Sequence, residues 1–289
     1  MPGRIFQQGL RALSAARRKS STTLIFGSNT DVGKSLLVSG LCRYSAIEER
    51  RKTRYVKPVQ AGLPGDQDLI DLYGEGKVHA TTLHTFPDHP CSPHLASYLS
   101  STPLKSKTIV DDLIAELNSR EDEEYERTFI ETAGGVLSPG PSWVGGEGRI
   151  RHRDQGIDTE WCYDLQGDVY KGVKDRVKVV LVGDGKLGGV GVTLSSLESL
   201  YSRGYDVSAV VFVGYRGTEG GMMDNHGCVE DWMRGNRGEE RGRCFSLPDP
   251  PEMQEEKVEG GDLWDYFDSE GVKEVMREIS DTLDSSEEV

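Results

Sequence analysis

No stretch of this 289-residue chain approaches the ~20 consecutive apolar residues that a membrane-spanning helix needs. No membrane association is expected. The five cysteines, Cys42, Cys91, Cys162, Cys228 and Cys244, contain no C-x-x-C spacing, and an odd total suits a reducing compartment better than a disulfide framework. Positive charge is also scarce: 34 Lys and Arg against 48 Asp and Glu leave a net charge of −14. Beyond the N-terminus no basic block occurs, so nucleic acid is not an expected partner. No internal repeat is found, and no Asn-Lys-x-Asp guanine reader.

The N-terminus departs from this acidic balance. Arg4, Arg11, Arg17, Arg18 and Lys19 precede the first acid, Asp31, while Phe6, Leu10 and Leu13 would share one helical face. Residues 1–21 read as a mitochondrial transit peptide, which implies the matrix, or as a disordered basic tail, which leaves the protein cytoplasmic.

What the chain does contain is a phosphate cradle. The apolar run Thr22 to Phe26 breaks into Gly27-Ser28-Asn29-Thr30-Asp31-Val32-Gly33-Lys34-Ser35 and then into a helical pattern with Leu37, Leu41 and Tyr44 on one stripe. Gly33 admits backbone N–H groups close to phosphates, Lys34 brings a cation to the outer phosphates, and the Ser35 hydroxyl is a ligand for Mg²⁺. The helix starting near Lys34 points its positive end at the anion. The spacing fits the usual phosphate-loop pattern with Ser28 in place of its first glycine. ATP is the expected co-substrate.

Further apolar runs, Tyr55 to Val59, Thr128 to Ile130, Val177 to Val182 and Val207 to Val213, read as buried parallel strands. Helical patterns fall near Lys34 to Glu49, Thr108 to Ser119 and Val192 to Ser202, with a short helix over Cys228 to Trp232. Alternation of this kind predicts an α/β fold with a doubly wound, mostly parallel sheet of the P-loop NTPase type, its site at the carboxyl ends of the strands. Residues 22–255 are assigned to that domain, with a mobile insertion at about 143–160. Residues 256–289 read as an acidic tail whose Val272, Val275, Met276, Ile279 and Leu283 form an amphipathic helix that docks on something.

Three later strands end in charge: Lys57-Pro58-Val59, Glu131 before Ala133-Gly134-Gly135, and Gly183-Asp184. A carboxylate at Glu131 would sit opposite the phosphate loop, where Mg²⁺ is held. Between them Gly65-Asp66-Gln67-Asp68-Leu69-Ile70-Asp71 offers three carboxylates, either as oxygen ligands or as helix caps. His79, His84, His89 and His94 recur every five residues, a spacing that no helix holds on one face, and Pro87, Pro90 and Pro93 forbid a continuous helix. A histidine metal box is not expected.

Taken in order, the phosphate loop, Lys57-Pro58-Val59-Gln60-Ala61-Gly62, Ser92-Pro93-His94, Glu131-Thr132-Ala133-Gly134-Gly135 and Val182-Gly183-Asp184-Gly185-Lys186-Leu187-Gly188 resemble dethiobiotin synthetase. Ser202-Arg203-Gly204-Tyr205-Asp206-Val207 and Phe245-Ser246-Leu247-Pro248 are most similar to the synthetase half of the bifunctional plant and fungal proteins, where a diaminopelargonate aminotransferase follows. The resemblance implies an ATP- and Mg²⁺-dependent cyclo-ligase that makes dethiobiotin from 7,8-diaminopelargonate and CO₂ or bicarbonate, working as a homodimer. It implies catalytic roles for Lys57, Lys34 and Thr30, and nucleotide contacts from Asn29, Thr30, Asp31, Val32, Gly33, Lys34, Ser35, Asn225, Leu247 and Pro248. Asp31, Lys57, Ala61, Gly134 and Gly135 would meet the diamine, and Ser35, Asp68 and Glu131 the metal. Ala61 stands where family members often carry a hydroxyl, and Asn225 is the nearest replacement for an adenine-reading Asn whose place Gly214-Tyr215-Arg216 takes. The last residues would begin a connection to an aminotransferase that is fused or associated. Two other readings stay open: a P-loop ATPase switch, and a synthetase-like assembly domain without activity.

Overall fold

The computed structural model describes residues 20–100, 103–119, 125–141, 164–214, 224–237, 243–251 and 261–285. The expected transit segment, apart from its last two residues, and the whole of the expected insertion lie outside the described residues. Along the chain run β1 (Ser21–Gly27), α1 (Lys34–Arg43), β2 (Thr53–Ala61), α2 (Asp66–Tyr73), β3 (Val78–Phe86), α3 (Pro93–Leu99), α4 (Ser106–Leu117), β4 (Arg127–Gly135) and α5 (Gln166–Val169). Then follow β5 (Lys178–Gly183), α6 (Gly189–Ser202), β6 (Val207–Val213), α7 (Asn225–Arg237), β7 (Arg243–Leu247), α8 (Gly261–Asp268) and α9 (Glu270–Asp284).

The strands make one sheet in the order β3-β2-β4-β1-β5-β6-β7, and every neighbouring pair is parallel. Alternate residues divide its two faces. Leu24, Phe26, Ile130, Leu181, Val210 and Phe212 enter one core with residues of α4, α6 and α7. Ile25, Phe129, Val180, Val182, Ala209 and Val211 enter the other, with α1, α2, α8 and α9. Burial on both faces is why the central strands read as unbroken apolar runs. β1 lies between β4 and β5, so the ends of the three strands open on one crevice, as the doubly wound fold requires.

All five expected strands are present, and two more flank them. β3 is an edge strand whose middle residues are only half buried, so its Thr and His content hides it. β7 is five residues long and closes the opposite edge beside β6. The helix expected over Lys34 to Glu49 is α-helical to Arg43 and widens into a π turn over Tyr44–Glu48.

The boundary placed at residue 255 needs correction. Val272, Met276, Ile279 and Leu283 of α9 are buried in the second core together with Leu263, Tyr266 and Phe267 of α8. Each such side chain contributes about 1.5–3 kcal/mol. Gly40 of α1 makes room for them, since a Cβ there would fall 2.3 Å from Met276 Cε. Arg43 pairs with Asp268 at 3.0 Å, Arg127 with Asp284 at 2.9 Å, and Arg51 also with Asp284. The amphipathic helix does dock, and its partner is the domain's own sheet.

Candidate active site

Small residues shape the loop that leaves β1. A Cβ at Gly27 would lie 2.7 Å from the Asn29 carbonyl oxygen and 3.0 Å from Lys34 Nζ, and one at Gly33, where φ is 91°, would lie 2.8 Å from Val213. Asp31 also takes a left-handed φ of 55°. Ser28 N donates to Val182 O at 2.8 Å, anchoring the loop to β5, and Leu37 N donates to Gly33 O at 3.0 Å as α1 begins. The first N–H groups of a helix lack partners within it, and a loop at such a start favours a phosphate.

Behind the loop a charged cluster has assembled from two strands, β2 and β4, and two helices, α1 and α2. Ser35 Oγ donates to Glu131 Oε1 at 2.8 Å, and Lys57 Nζ lies 3.0 Å from that same oxygen and 2.5 Å from Asp66 Oδ2. Tyr55 OH donates to the other Glu131 oxygen, Oε2, at 2.8 Å. Lys57 and Glu131 are nearly fully buried. Burial works to lower the Lys57 pKa, but the Glu131 and Asp66 carboxylates outweigh it and hold the ammonium above its ordinary value. Lys34 moves the other way: burial pulls it down, Lys57 adds to that, and Glu131, Asp66 and Asp31 only partly compensate. Burial alone would raise Asp66, and the neighbouring Lys57 charge instead holds its carboxyl below the usual range. Burial first and then Glu131 push the Tyr55 phenol well up, so it remains a donor.

The structure separates the carboxylates after Gly65. Asp68 was expected at the metal, but its Oδ2 accepts from Gly65 N at 2.9 Å and closes the first turn of α2. Asp66 is the one that reaches Lys57, with its backbone N donating to Gln60 Oε1 at 3.2 Å. Asn225 is also placed differently from a base reader: its Nδ2 donates to Asp184 O at 2.9 Å and Lys186 O at 2.8 Å, tying α7 to the turn after β5. Leu247 points into the second core, and the Pro248 carbonyl accepts from Tyr266 OH at 2.9 Å. Val32 is a core residue, whereas Asn29, Thr30 and Asp31 are exposed on the loop.

Asn29 Nδ2 donates to Asp184 Oδ2 at 3.4 Å, which links the loop to the end of β5. Gly134 has φ 71°, and a Cβ on Gly135 would come 2.9 Å from Ser28 O, so this pair lets β4 pass directly under the loop. Ala61, at the end of β2, packs against the first core. Sequence reasoning missed Tyr55, although its place two residues before Lys57 on one strand puts both on the same face.

Over residues 21–143 the chain matches a family model described as an AAA domain. It is 28% identical over 81% of its length to the bifunctional dethiobiotin synthetase/adenosylmethionine-8-amino-7-oxononanoate aminotransferase of Emericella nidulans, covering 26% of that protein. The bifunctional dethiobiotin synthetase/7,8-diamino-pelargonic acid aminotransferase of Oryza sativa, named as mitochondrial, is 30% identical over 65% of this chain and 27% of the relative. The chain thus spans about a quarter of the length of these curated relatives. The ATP-dependent dethiobiotin synthetase BioD 2 of Haemophilus influenzae is 28% identical over 66% of this chain and 90% of its own. The phosphate loop, the Lys57 strand and the Glu131 strand thus lie in a chain that is similar in sequence to dethiobiotin synthetases, bifunctional and single alike.

Proposed function

We propose that the protein is an ATP-dependent dethiobiotin synthetase that closes a cyclic urea on 7,8-diaminopelargonate. One observation carries the reading: Lys34, Lys57, Ser35, Glu131 and Asp66 converge behind the phosphate loop, in a chain whose relatives bear that name. Mg²⁺ fits the donor set, because the Ser35 hydroxyl and the Glu131 and Asp66 carboxylates are hard oxygen ligands. Among the described residues no group of three or more His, Cys, Asp or Glu side chains forms a self-sufficient cage. The remaining ligands are then water and nucleotide phosphate. When bound, the ion neutralises charge on the outer phosphates.

Within this reading Asp66 replaces Asp68 among the metal ligands, with Ser35 and Glu131. Lys34 meets the outer phosphates, whose negative charge favours its ammonium form. Lys57, kept protonated by its two carboxylates, stabilises charge developing on the carbamate and the transferring phosphoryl group. Thr30, Asp31, Gly134 and Gly135 line the side of the loop on which the diamine is placed. CO₂ adds to one amine, which loses a proton, to give a carbamate. The carbamate oxygen attacks the γ-phosphorus and ADP leaves. The second amine then attacks the carbonyl carbon, the C–O bond to phosphate breaks, and the ring closes as that amine loses its proton. Positioning and charge stabilisation suffice for such a sequence. The proposal extends to a homodimer, to import directed by residues 1–21, and to an aminotransferase, fused or separate, that supplies the diamine.

The test is turnover by purified protein with the diamine, bicarbonate and Mg·ATP, followed by mass spectrometry. Dethiobiotin formed in equal amounts with ADP and phosphate supports the reading. Steady ATP hydrolysis that ignores the diamine points to a switch ATPase, and a nucleotide-binding protein without turnover to an assembly domain.

A further inference from the structure

Glu131 presents its two oxygens to different surroundings. Oε1 takes Ser35 Oγ at 2.8 Å and Lys57 Nζ at 3.0 Å, on the side of the phosphate loop. Oε2 takes the Tyr55 phenol at 2.8 Å, on the side of the core. Tyr55 is fully buried, and in the sheet it stands opposite Phe129, two residues before Glu131 on the same face of β4. Phenylalanine would fill the same space without bringing a hydroxyl that needs a partner. The terminal torsion of a glutamate is broad and roughly two-fold, so an unrestrained carboxylate turns freely or meets a cation with both oxygens.

We propose that Tyr55 is a positioning residue, which holds Glu131 so that Oε1 alone faces a divalent cation at the phosphate loop. The inference rests on the reading of Ser35, Glu131 and Asp66 as metal ligands. It places Tyr55 one shell behind the ion, where a lost hydrogen bond costs on the order of 10- to 100-fold in metal affinity or rate. Lys57 shares Oε1, so a turned carboxylate would also displace the ammonium that faces the reacting groups.

The experiment measures Mn²⁺ affinity by electron paramagnetic resonance in the presence of a non-hydrolysable ATP analogue, for wild type, Tyr55→Phe, Glu131→Gln and the double variant. Tyr55→Phe is expected to weaken Mn²⁺ about tenfold, and to add almost nothing once Glu131→Gln is present. Equal weakening in both backgrounds overturns the inference, because a merely structural role does not depend on Glu131. Unchanged affinity in Tyr55→Phe overturns it as well. Should Tyr55→Phe not fold, Tyr55→p-aminophenylalanine keeps a donor on the same ring and must retain wild-type affinity; a tenfold loss in that folded variant counts against the proposal. The binding readout is independent of ring closure, so a wild type that binds Mn²⁺ and nucleotide but makes no dethiobiotin defeats the proposed activity alone.

Discussion

Lys57 has two carboxylate oxygens within 3.0 Å and almost no contact with solvent. Its removal leaves Glu131 and Asp66 facing each other across a gap, so Lys57→Ala is expected to lower the thermal midpoint as well as the rate. The rate effect is the larger test: kcat should fall about 100-fold, near 3 kcal/mol of transition-state stabilisation. Normal dethiobiotin production by a folded Lys57→Ala protein would remove the residue from the mechanism. Asp66 and Asp68 give a sharper contrast. Asp66→Asn is expected to reduce kcat/KM for Mg·ATP, whereas Asp68→Asn should cost about 1 kcal/mol of stability as a weakened helix cap and leave kinetics alone. Parallel steady-state assays and melting curves decide between them. Lys34, Ser35, Lys57 and Glu131 were legible in the sequence because each sits in a motif or at a strand end. The choice between Asp66 and Asp68 was not, since two residues on one helix turn point about 200° apart, and only the position of α2 against β2 says which one faces the site.

At the scale of elements, pattern strength decided what could be read. β1, β5 and β6 are buried on both faces and announce themselves as apolar runs. β3 borders the sheet, with polar Thr81, Thr82 and Thr85 where a central strand would carry Val or Ile. α9 was visible from its helical spacing, but nothing in that spacing says that the stripe faces α1 and the sheet. Its attachment yields a pH prediction. Burial alone would raise the Asp284 pKa, and Arg51 and Arg127 more than reverse this, so the folded value lies below the unfolded one. The contribution of Asp284 is therefore present above the ordinary carboxylate pKa of about 3.9 and lost as pH falls through the depressed folded value. Asp284→Asn should melt lower than wild type at neutral pH, and the gap should narrow as the solution is acidified. A gap that stays constant from neutral to acid pH would mean that the two arginines do not hold α9 through this carboxylate.

Over the whole molecule the electrostatics run against the proposed co-substrate. The chain carries a net charge of −14, and around the phosphate loop Lys34 and Lys57 are set among Glu131, Asp66, Asp31 and Asp184. An approaching triphosphate meets repulsion at long range and no surplus of positive charge at short range. The helix start and the backbone N–H groups of the loop act only at contact, so under the proposed function a divalent cation carried by the nucleotide would supply the missing charge. Two consequences can be measured. Removing Mg²⁺ with a chelator should weaken ATP binding far more than it would in a protein whose site is already cationic. Salt should act with the opposite sign from that in basic nucleotide binders: the Debye length shrinks from about 20 Å near 20 mM to about 7 Å near 200 mM ionic strength, which screens the repulsion while leaving contacts in the loop intact. The association rate of a fluorescent Mg·ATP analogue, followed by stopped flow, should therefore rise over that range. A rate that falls with salt would mean that the lysines behind the loop project their charge into solvent, and that the carboxylates around them do not neutralise it.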